Sequence, residues 1–320
     1  MDVYFYEAFE EEAEALKQYL GSGISYEMTP KTIQETGHTQ PPARLISIRT
    51  QSVIPSEWAT TLDGVLSRST GYDHLKAYLN KIQKALPCGY LEEYATRAVA
   101  EHAILLMMSL LRKLPQQFTQ FKHFERNGLT GFECAEKNLL VVGVGRIGSE
   151  IAKIGMGLGM HVHGVDLVQK QSFVHYVPCE EGIRWADVII SAMNLTPENA
   201  GYFSEQLLRQ TKRGAMLINI ARGEHTPTSI LRKLIEENHL GGVGLDVYED
   251  EPLVATALRS ENATTSLPAQ EITALLQHPN VIFTPHNAFN SYEALQRKSK
   301  FSADAVRYFL QHRDFHPRVQ

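Results

Sequence analysis

Cysteine is scarce: Cys88, Cys134 and Cys179 are the only three in 320 residues, and no two form a CxxC pair. An odd, unclustered set is not the pattern of a disulfide framework. It suits a reducing compartment, with small buried side chains or incidental thiols. Long apolar runs are missing as well. The longest, AILLMMSLL at 103–111, falls far short of the roughly 20 residues a bilayer span needs. The first residues, MDVYFYEAFEEEAEALK, are acidic where a secretory leader is basic and then apolar. A cytoplasmic protein without a membrane partner is expected. Neither sign of charge dominates, since Lys and Arg number 31 against 36 Asp and Glu, for a formal net charge of -5. With no Lys/Arg block or basic stripe, the charge argues against nucleic acid as a partner. No internal repeat or low-complexity segment occurs.

What is present describes a globular enzyme-sized chain. Hydrophobic residues make up 43% and charged residues 21%, the balance of a soluble folded protein, and 320 residues exceed one ordinary core. From residue 139 onward, the runs LLVVGVG, HVHGVD, DVIISAM, AMLINIA, GVGLDV and NVIFTP alternate with helix-like stretches such as RIGSEIAKIGMGLG and SILRKLIEENH. Strands apolar on both faces are those of a parallel sheet covered by helices. The first hundred residues repeat the pattern in VYFYEAF, RLISIRT and GVLSRST. The expected fold is α/β, two Rossmann-like doubly wound parallel-sheet domains with a cleft between them. Residues 98–111 predict a helix apolar almost all round, buried between domains or subunits. The tail 292–310 predicts a helix with Leu295, Ala303, Val306 and Phe309 on or near one face, returning to the N-terminal domain. The predicted division is therefore 1–97 with 289–320, a discontinuous substrate-binding domain, and 98–288, a nucleotide-binding domain.

GVGRIG at 143–148 is a G-x-G-x-x-G between the strand LLVV and a helix. The first glycine permits the tight turn, the second lets the backbone approach a pyrophosphate, and the third packs helix on strand. The helix N-terminus adds N–H groups and a positive dipole end. Asp166 ends the next strand, 18 residues past Gly148, where a carboxylate can accept from ribose hydroxyls. Leu167 and Val168 follow, and the first cation is Lys170, so a 2′-phosphate would meet a negative charge and NAD is favoured over NADP. A methyltransferase binding its cofactor's ribose with a similar acid is the rival reading of this motif.

Three later strands end in polar residues at the sheet edge where ligands of open α/β sheets bind. Arg222 follows AMLINIA, Asp246 and Glu251 follow GVGL, and His286 follows NVIFTP. A carbonyl receiving a hydride needs a proton donor, and histidine suits neutral pH. A carboxylate beside it favours the imidazolium and fixes its orientation. An arginine grips a substrate carboxylate through two parallel bonds. Each has a bland alternative: a salt-bridged strand end for Arg222, a capped turn for His286, a solvated acidic loop for Glu251 in YEDEP. No metal is expected.

Taken in order, SRSTGYDHL (67–75), YATRAVAEH (94–102), GVGRIG, LTPEN (195–199), NIARGE (219–224), GLDVYEDEP (244–252) and TPHNAF (284–289) resemble the D-2-hydroxyacid dehydrogenase family along nearly the whole chain. The D-lactate dehydrogenase branch is the most similar. The resemblance implies Arg222 on the substrate carboxylate, His286 as acid/base and Glu251 supporting it. It also implies that backbone N–H groups around Ser69, Thr70 and Gly71 hold the same carboxylate, with Tyr94 and Phe289 lining a small pocket or simply packing in the core. Gly143, Gly145, Arg146, Ile147, Gly148, Asp166, Met193, Asn194, Asn199, Ile220, Ala221 and Asp246 would line the NAD site. The long segment 253–278 also suits the lactate branch. Two departures stand out: Thr226-Pro227 where the family usually has Val-Asp or a similar pair, and Ala192 and Asn194 where it commonly has histidine and proline. The implied activity is reduction of a small 2-oxo acid such as pyruvate by NADH to the (R)-2-hydroxy acid, in a homodimer. An NAD-sensing regulatory protein that keeps the dehydrogenase fold is the alternative.

Overall fold

The computed structural model describes residues 1–259 and 267–319. Part of the predicted long segment, 260–266, therefore lies outside the described residues. The chain divides into two compact units, Met1–Ala95 with Asn290–Gln320, and Thr96–Phe289. The sequence placed the junctions at 97/98 and 288/289. The first shifts because the helix expected from 98 begins at Thr96 and belongs whole to the second unit.

The first unit contains β1 (Val3–Phe5), α1 (Glu10–Leu20), β2 (Tyr26–Met28), α2 (Ile33–Thr36), β3 (Leu45–Ile48), β4 (Gly64–Ser67), α3 (Asp73–Ile82) and β5 (Cys88–Gly89). Its five strands run parallel in the order β2-β1-β3-β4-β5. β3 and β4 are buried along their whole length, as central strands covered on both faces must be. β2 and β5 were not predicted: three and two residues long at the sheet edges, they carry too short a pattern to read.

The second unit contains α4 (Thr96–Leu111), α5 (Leu114–Phe121), β6 (Asn138–Val142), α6 (Arg146–Gly157), β7 (His161–Val165), β8 (His175–Tyr176), α7 (Cys179–Trp185) and β9 (Val188–Ser191). It continues with α8 (Glu205–Leu208), β10 (Ala215–Asn219), α9 (Thr228–Glu236), β11 (Leu240–Leu245), α10 (Glu251–Arg259), α11 (Leu267–Leu275) and β12 (Val281–Phe283). Its seven-stranded sheet has the order β12-β11-β10-β9-β6-β7-β8, all parallel. The connections reverse direction between β6 and β9, the switch point that opens a crevice at strand ends in such sheets. The helix α4 is apolar but not buried all round, since Leu105 is 56% and Met108 40% exposed. Among the described residues no helix is long and apolar enough to cross a membrane.

The tail is the helix α12 (Tyr292–His312), part of the first unit. Ser291 caps it by accepting from the N–H of Ala294 at 3.2 Å. Ala303, Val306 and Phe309 are fully buried as predicted, while Leu295 is only half-buried. Lys298, Ser299 and Ser302 are buried on the same helix.

Candidate active site

In the second unit, β10, β11 and β12 are neighbours in the sheet, so the polar residues that follow them emerge side by side. Arg222 leaves β10 through a turn shaped by Asn219. The Asn219 side chain accepts from the N–H of Ala221 at 3.0 Å and donates to the carbonyl of Arg222 at 2.8 Å. The next residue, Gly223, lies against the backbone after β11: a Cβ there would meet the carbonyl carbon of Tyr248 at 1.9 Å. Only glycine permits that approach, which ties Arg222 to the neighbouring loop. One guanidinium nitrogen of Arg222 donates to the carbonyl of Ala221 at 2.7 Å.

His286 follows Pro285 in a three-residue turn, with its N–H on the carbonyl of Thr284 at 2.9 Å. Its Nδ1 lies 2.8 and 2.9 Å from the two carboxylate oxygens of Glu251. Glu251 is not in a solvated loop. It is the first residue of α10, with Pro252 behind it, a position where proline is well tolerated. The histidine is 29% and the glutamate 18% exposed, so the pair is sheltered but not sealed from solvent.

Asp246, at the end of β11, is 1% exposed. Its carboxylate accepts from the Thr284 hydroxyl at 2.5 Å and from the N–H groups of Asn287 and Ala288 at 2.8 and 2.9 Å. His102 on α4 meets the same Thr284 hydroxyl at 3.0 Å through Nε2. Tyr248 closes the arrangement by donating to the carbonyl of Thr284 at 3.1 Å. Burial, with Glu251 and Asp246 nearby, pushes the Tyr248 hydroxyl well above its ordinary pKa and keeps it a donor. These residues therefore clamp the segment that carries His286. Asn219, His102 and Thr284 were not singled out from sequence; the polar ends of NIARGE and TPHNAF were the available signals for the first and last.

At the end of β6, the glycine motif can be tested for its fit to a dinucleotide. A Cβ on Gly148 would meet the carbonyl oxygen of Gly143 at 1.9 Å, whereas one on Gly145 would meet nothing within 4 Å. The third glycine thus packs helix on turn, and the second faces open space that a side chain would fill. Gly145 is also the N-cap of α6 and supplies no side-chain cap, which suits an anion at the helix start. Asp166 accepts from the N–H of Val144 at 2.6 Å and of Val168 at 3.0 Å, so it braces the glycine turn from the next strand. The residues present fit the group. Arg146 and Ile147 open α6. Met193 and Asn194 follow β9, and Asn199 spends its side chain on that turn, donating to the Asn194 carbonyl at 2.7 Å and accepting from Thr196 N–H at 2.8 Å. Ile220 and Ala221 are 7% and 6% exposed at the end of β10. The departure Thr226-Pro227 sits at the start of α9, with Pro227 as N-cap.

In the first unit, Ser69, Thr70 and Gly71 follow β4. The Ser69 hydroxyl lies 2.6 Å from that of Ser67 and donates to the Gly71 carbonyl at 2.7 Å, while Ser67 meets His74 Nε2 at 2.9 Å. Among the described residues, no protein group accepts from the backbone N–H of Ser69, Thr70 or Gly71. A row of outward N–H groups is a recognised way to hold an anion. Tyr94 is 5% exposed in this unit, and Phe289 is half-buried at the end of the second. Among the described residues, no group of three or more His, Cys, Asp or Glu could hold a metal ion.

Comparison with known proteins adds a family. The model described as D-isomer specific 2-hydroxyacid dehydrogenase, NAD binding domain, matches residues 104–288. D-3-phosphoglycerate dehydrogenase of Bacillus subtilis is 35% identical over 206 residues, covering 62% of this chain and 36% of that one. D-lactate dehydrogenase of Escherichia coli is 33% identical over 208 residues, covering 63% of this chain and 62% of that one. The aligned stretch is thus little more than a third of the first relative's length and under two thirds of the second's. In three dimensions, the crystal structure of D-lactate dehydrogenase from Aquifex aeolicus, complexed with NAD and lactic acid, is similar at a TM-score of 0.85 and 25% identity. The match covers 97% of this chain and 95% of that one.

Proposed function

From the premise that the chain belongs to the D-isomer specific 2-hydroxyacid dehydrogenase family of NAD-dependent oxidoreductases, we propose that it reduces pyruvate or a similarly small 2-oxo acid to the (R)-2-hydroxy acid. The observation that carries the reading is the pairing of His286 Nδ1, after β12, with Glu251, after β11, at 2.8 Å, β11 being the strand next to the β10 that carries Arg222.

In this reading, Gly143, Gly145 to Gly148 and Asp166, with Met193, Asn194, Asn199, Ile220, Ala221 and Asp246, hold the dinucleotide. Bound NADH supplies the hydride that reduces C2 of the substrate. Arg222 grips the substrate carboxylate, and its second pair of donors polarises the adjacent carbonyl. The N–H groups of Ser69, Thr70 and Gly71 take the remaining carboxylate lone pairs. Because Glu251 engages Nδ1, the proton that His286 gives to the carbonyl oxygen sits on Nε2. Glu251 fixes the orientation of the ring through Nδ1. Tyr94 and Phe289 are proposed to limit the side chain of the acid. Closure around the substrate would exclude water from the transfer.

The test is a panel of pyruvate, 2-oxobutyrate, glyoxylate, hydroxypyruvate and phenylpyruvate with NADH, followed optically. His286→Ala should lower turnover of the best substrate about 10²–10⁴-fold, and Arg222→Lys should raise its KM sharply because an ammonium cannot make the two-pronged grip. Unchanged turnover in the histidine variant would overturn the assignment. Tight NADH binding with no turnover of any 2-oxo acid would instead support an NAD-sensing protein. We further infer a cytoplasmic homodimer. Phe118 and Phe121, 70% and 74% exposed, and Leu105 at 56% leave an apolar surface on α4 and α5 for a second copy to cover. Light scattering at a dimer mass is the expected result.

A further inference from the structure

Three charges lie inside the first unit: Arg68 is 0%, Lys298 1% and Glu12 2% exposed. Glu12 on α1 accepts from Arg68 Nε at 2.8 Å, and its other oxygen stands 2.9 Å from Lys298 Nζ on α12. The remaining Arg68 nitrogens donate to the Ser47 hydroxyl at 3.0 Å and the Tyr6 carbonyl at 2.7 Å. One guanidinium therefore ties together α1, the end of β1 and the end of β3. Burial alone would raise the Glu12 carboxyl, but Arg68, Lys298 and Arg49 hold it down to about 2. Burial draws the Lys298 ammonium down to about 7, against the pull of Glu12 and with repulsion from Arg49 and Arg68.

Stability is a poor account of such a cluster, because well-packed apolar residues usually do as well as buried ion pairs. Its place in the fold suggests another. Arg68 is the residue that leaves β4, and Ser69, Thr70 and Gly71 follow it directly. Ser67 and Ser69, on either side of Arg68, are joined to each other and to His74 on α3. The loop is thus gripped by the arginine through α1 and α12 and by the serines through α3.

We propose that the Glu12–Arg68–Lys298 cluster positions the N–H row of Ser69, Thr70 and Gly71 and thereby sets the affinity for the substrate carboxylate. The inference rests on the reading that this row binds that carboxylate. Arg68 fixes the angle at which the chain leaves the sheet, and Lys298 keeps the Glu12 carboxylate turned toward Arg68. All three are positioning residues, none of which touches substrate. Donors displaced by a fraction of an ångström bind an anion less well, while the hydride and proton chemistry on the second unit's residues is spared.

The test uses the full chain, with Arg68→Lys and Lys298→Met assayed on the best substrate of the 2-oxo acid panel. Arg68→Lys keeps the charge and loses the three-way fork; its KM should rise about tenfold. Lys298→Met keeps the stem, leaves Glu12 and Arg68 as a neutral pair, and should raise KM about three- to fivefold. In both, kcat and the NADH dissociation constant, read by fluorescence titration, should stay within about twofold of the parent. If Arg68→Lys does not fold, the KM of Lys298→Met decides. Parental KM with a lowered melting temperature would show a cluster that only holds the fold, and would overturn the proposal. A parallel loss of NADH affinity would mean general loosening and overturn it too. A parent that turns over no 2-oxo acid overturns the carboxylate reading itself, and this inference with it.

Discussion

Replacing Gly223 by alanine adds one methyl group at the point where the loop after β10 touches the loop after β11. The new Cβ would lie 1.9 Å from the Tyr248 carbonyl carbon, 2.2 Å from its oxygen and 2.5 Å from the Glu249 nitrogen. All three are backbone atoms, so no rotamer change relieves the clash. To pass from 1.9 Å to the 3.4 Å at which ordinary contact begins, the loops must part by about 1.5 Å. Overpacking of this kind costs about 1–3 kcal/mol, or a melting temperature lower by about 2–4 °C per kcal/mol for a unit of this size. The displacement falls on Arg222, the adjacent residue, whose carbonyl is also held by Asn219 at 2.8 Å. A positioning error near 1 Å costs about 10²-fold in rate. Gly223→Ala should therefore retain its fold and lose about 10²-fold in kcat/KM for the best 2-oxo acid, most of it in KM. Steady-state NADH oxidation, with circular dichroism melting on the same sample, measures both. A folded variant with parental kcat/KM would falsify the claim that Gly223 sets the position of Arg222.

Gly145→Ala is the counterpart, since a Cβ there meets nothing within 4 Å. Its melting temperature should match the parent while the NADH dissociation constant rises at least about tenfold, or 1.4 kcal/mol; calorimetric titration showing unchanged affinity would remove Gly145 from the cofactor site. Thr284→Val deletes the hydroxyl that joins His102 to Asp246 at 3.0 and 2.5 Å. It should cost about 1–3 kcal/mol in urea unfolding and lower kcat by loosening the segment that bears His286; full retention of both would show that the bridge is dispensable. The buried cluster predicts two separate pH windows in which stability rises with pH. Lys298 has a folded pKa of about 7 against an ordinary 10.5, so the unfolded chain holds more protons between these values and stability rises with pH across that window. Lys298→Met should flatten that rise, and an equal slope in parent and variant would refute it. Glu12, held at about 2 against an ordinary 4.5, contributes stability above 4.5 that is lost as pH falls toward 2. Glu12→Gln should lose less stability than its parent over the same acid range.

The parts legible in the sequence share a cause. β6, β9 and β10 are buried along nearly their whole length, so each is a continuous apolar word ending at a glycine or a polar residue. GVGRIG, Arg222, Asp246 and His286 were readable as the polar ends of such words. Glu251 was readable by type and spacing, although YEDEP resembles an acidic loop and the residue in fact opens α10. β8, with two residues at a sheet edge, takes its conformation from pairing with β7 rather than from its own pattern.

Residues defined by a distant partner escape local periodicity altogether. His102 and Thr284 meet across 182 positions, and nothing in the local pattern of either pairs it with the other. Glu10, Glu11 and Glu12 all open α1, and nothing local separates the one that is buried from the two that are exposed. Lys298 reads as an interruption in the apolar face formed by Ala294, Ala303, Val306 and Phe309. Each of these two charges, alone, would be excluded from a core by its desolvation cost. Together with Arg68 they satisfy one another, so the physical reason for their burial exists only once α1 and α12 have met. A pattern read along one helix cannot contain it, because the free energy that places Lys298 inside belongs to a pair and not to a residue.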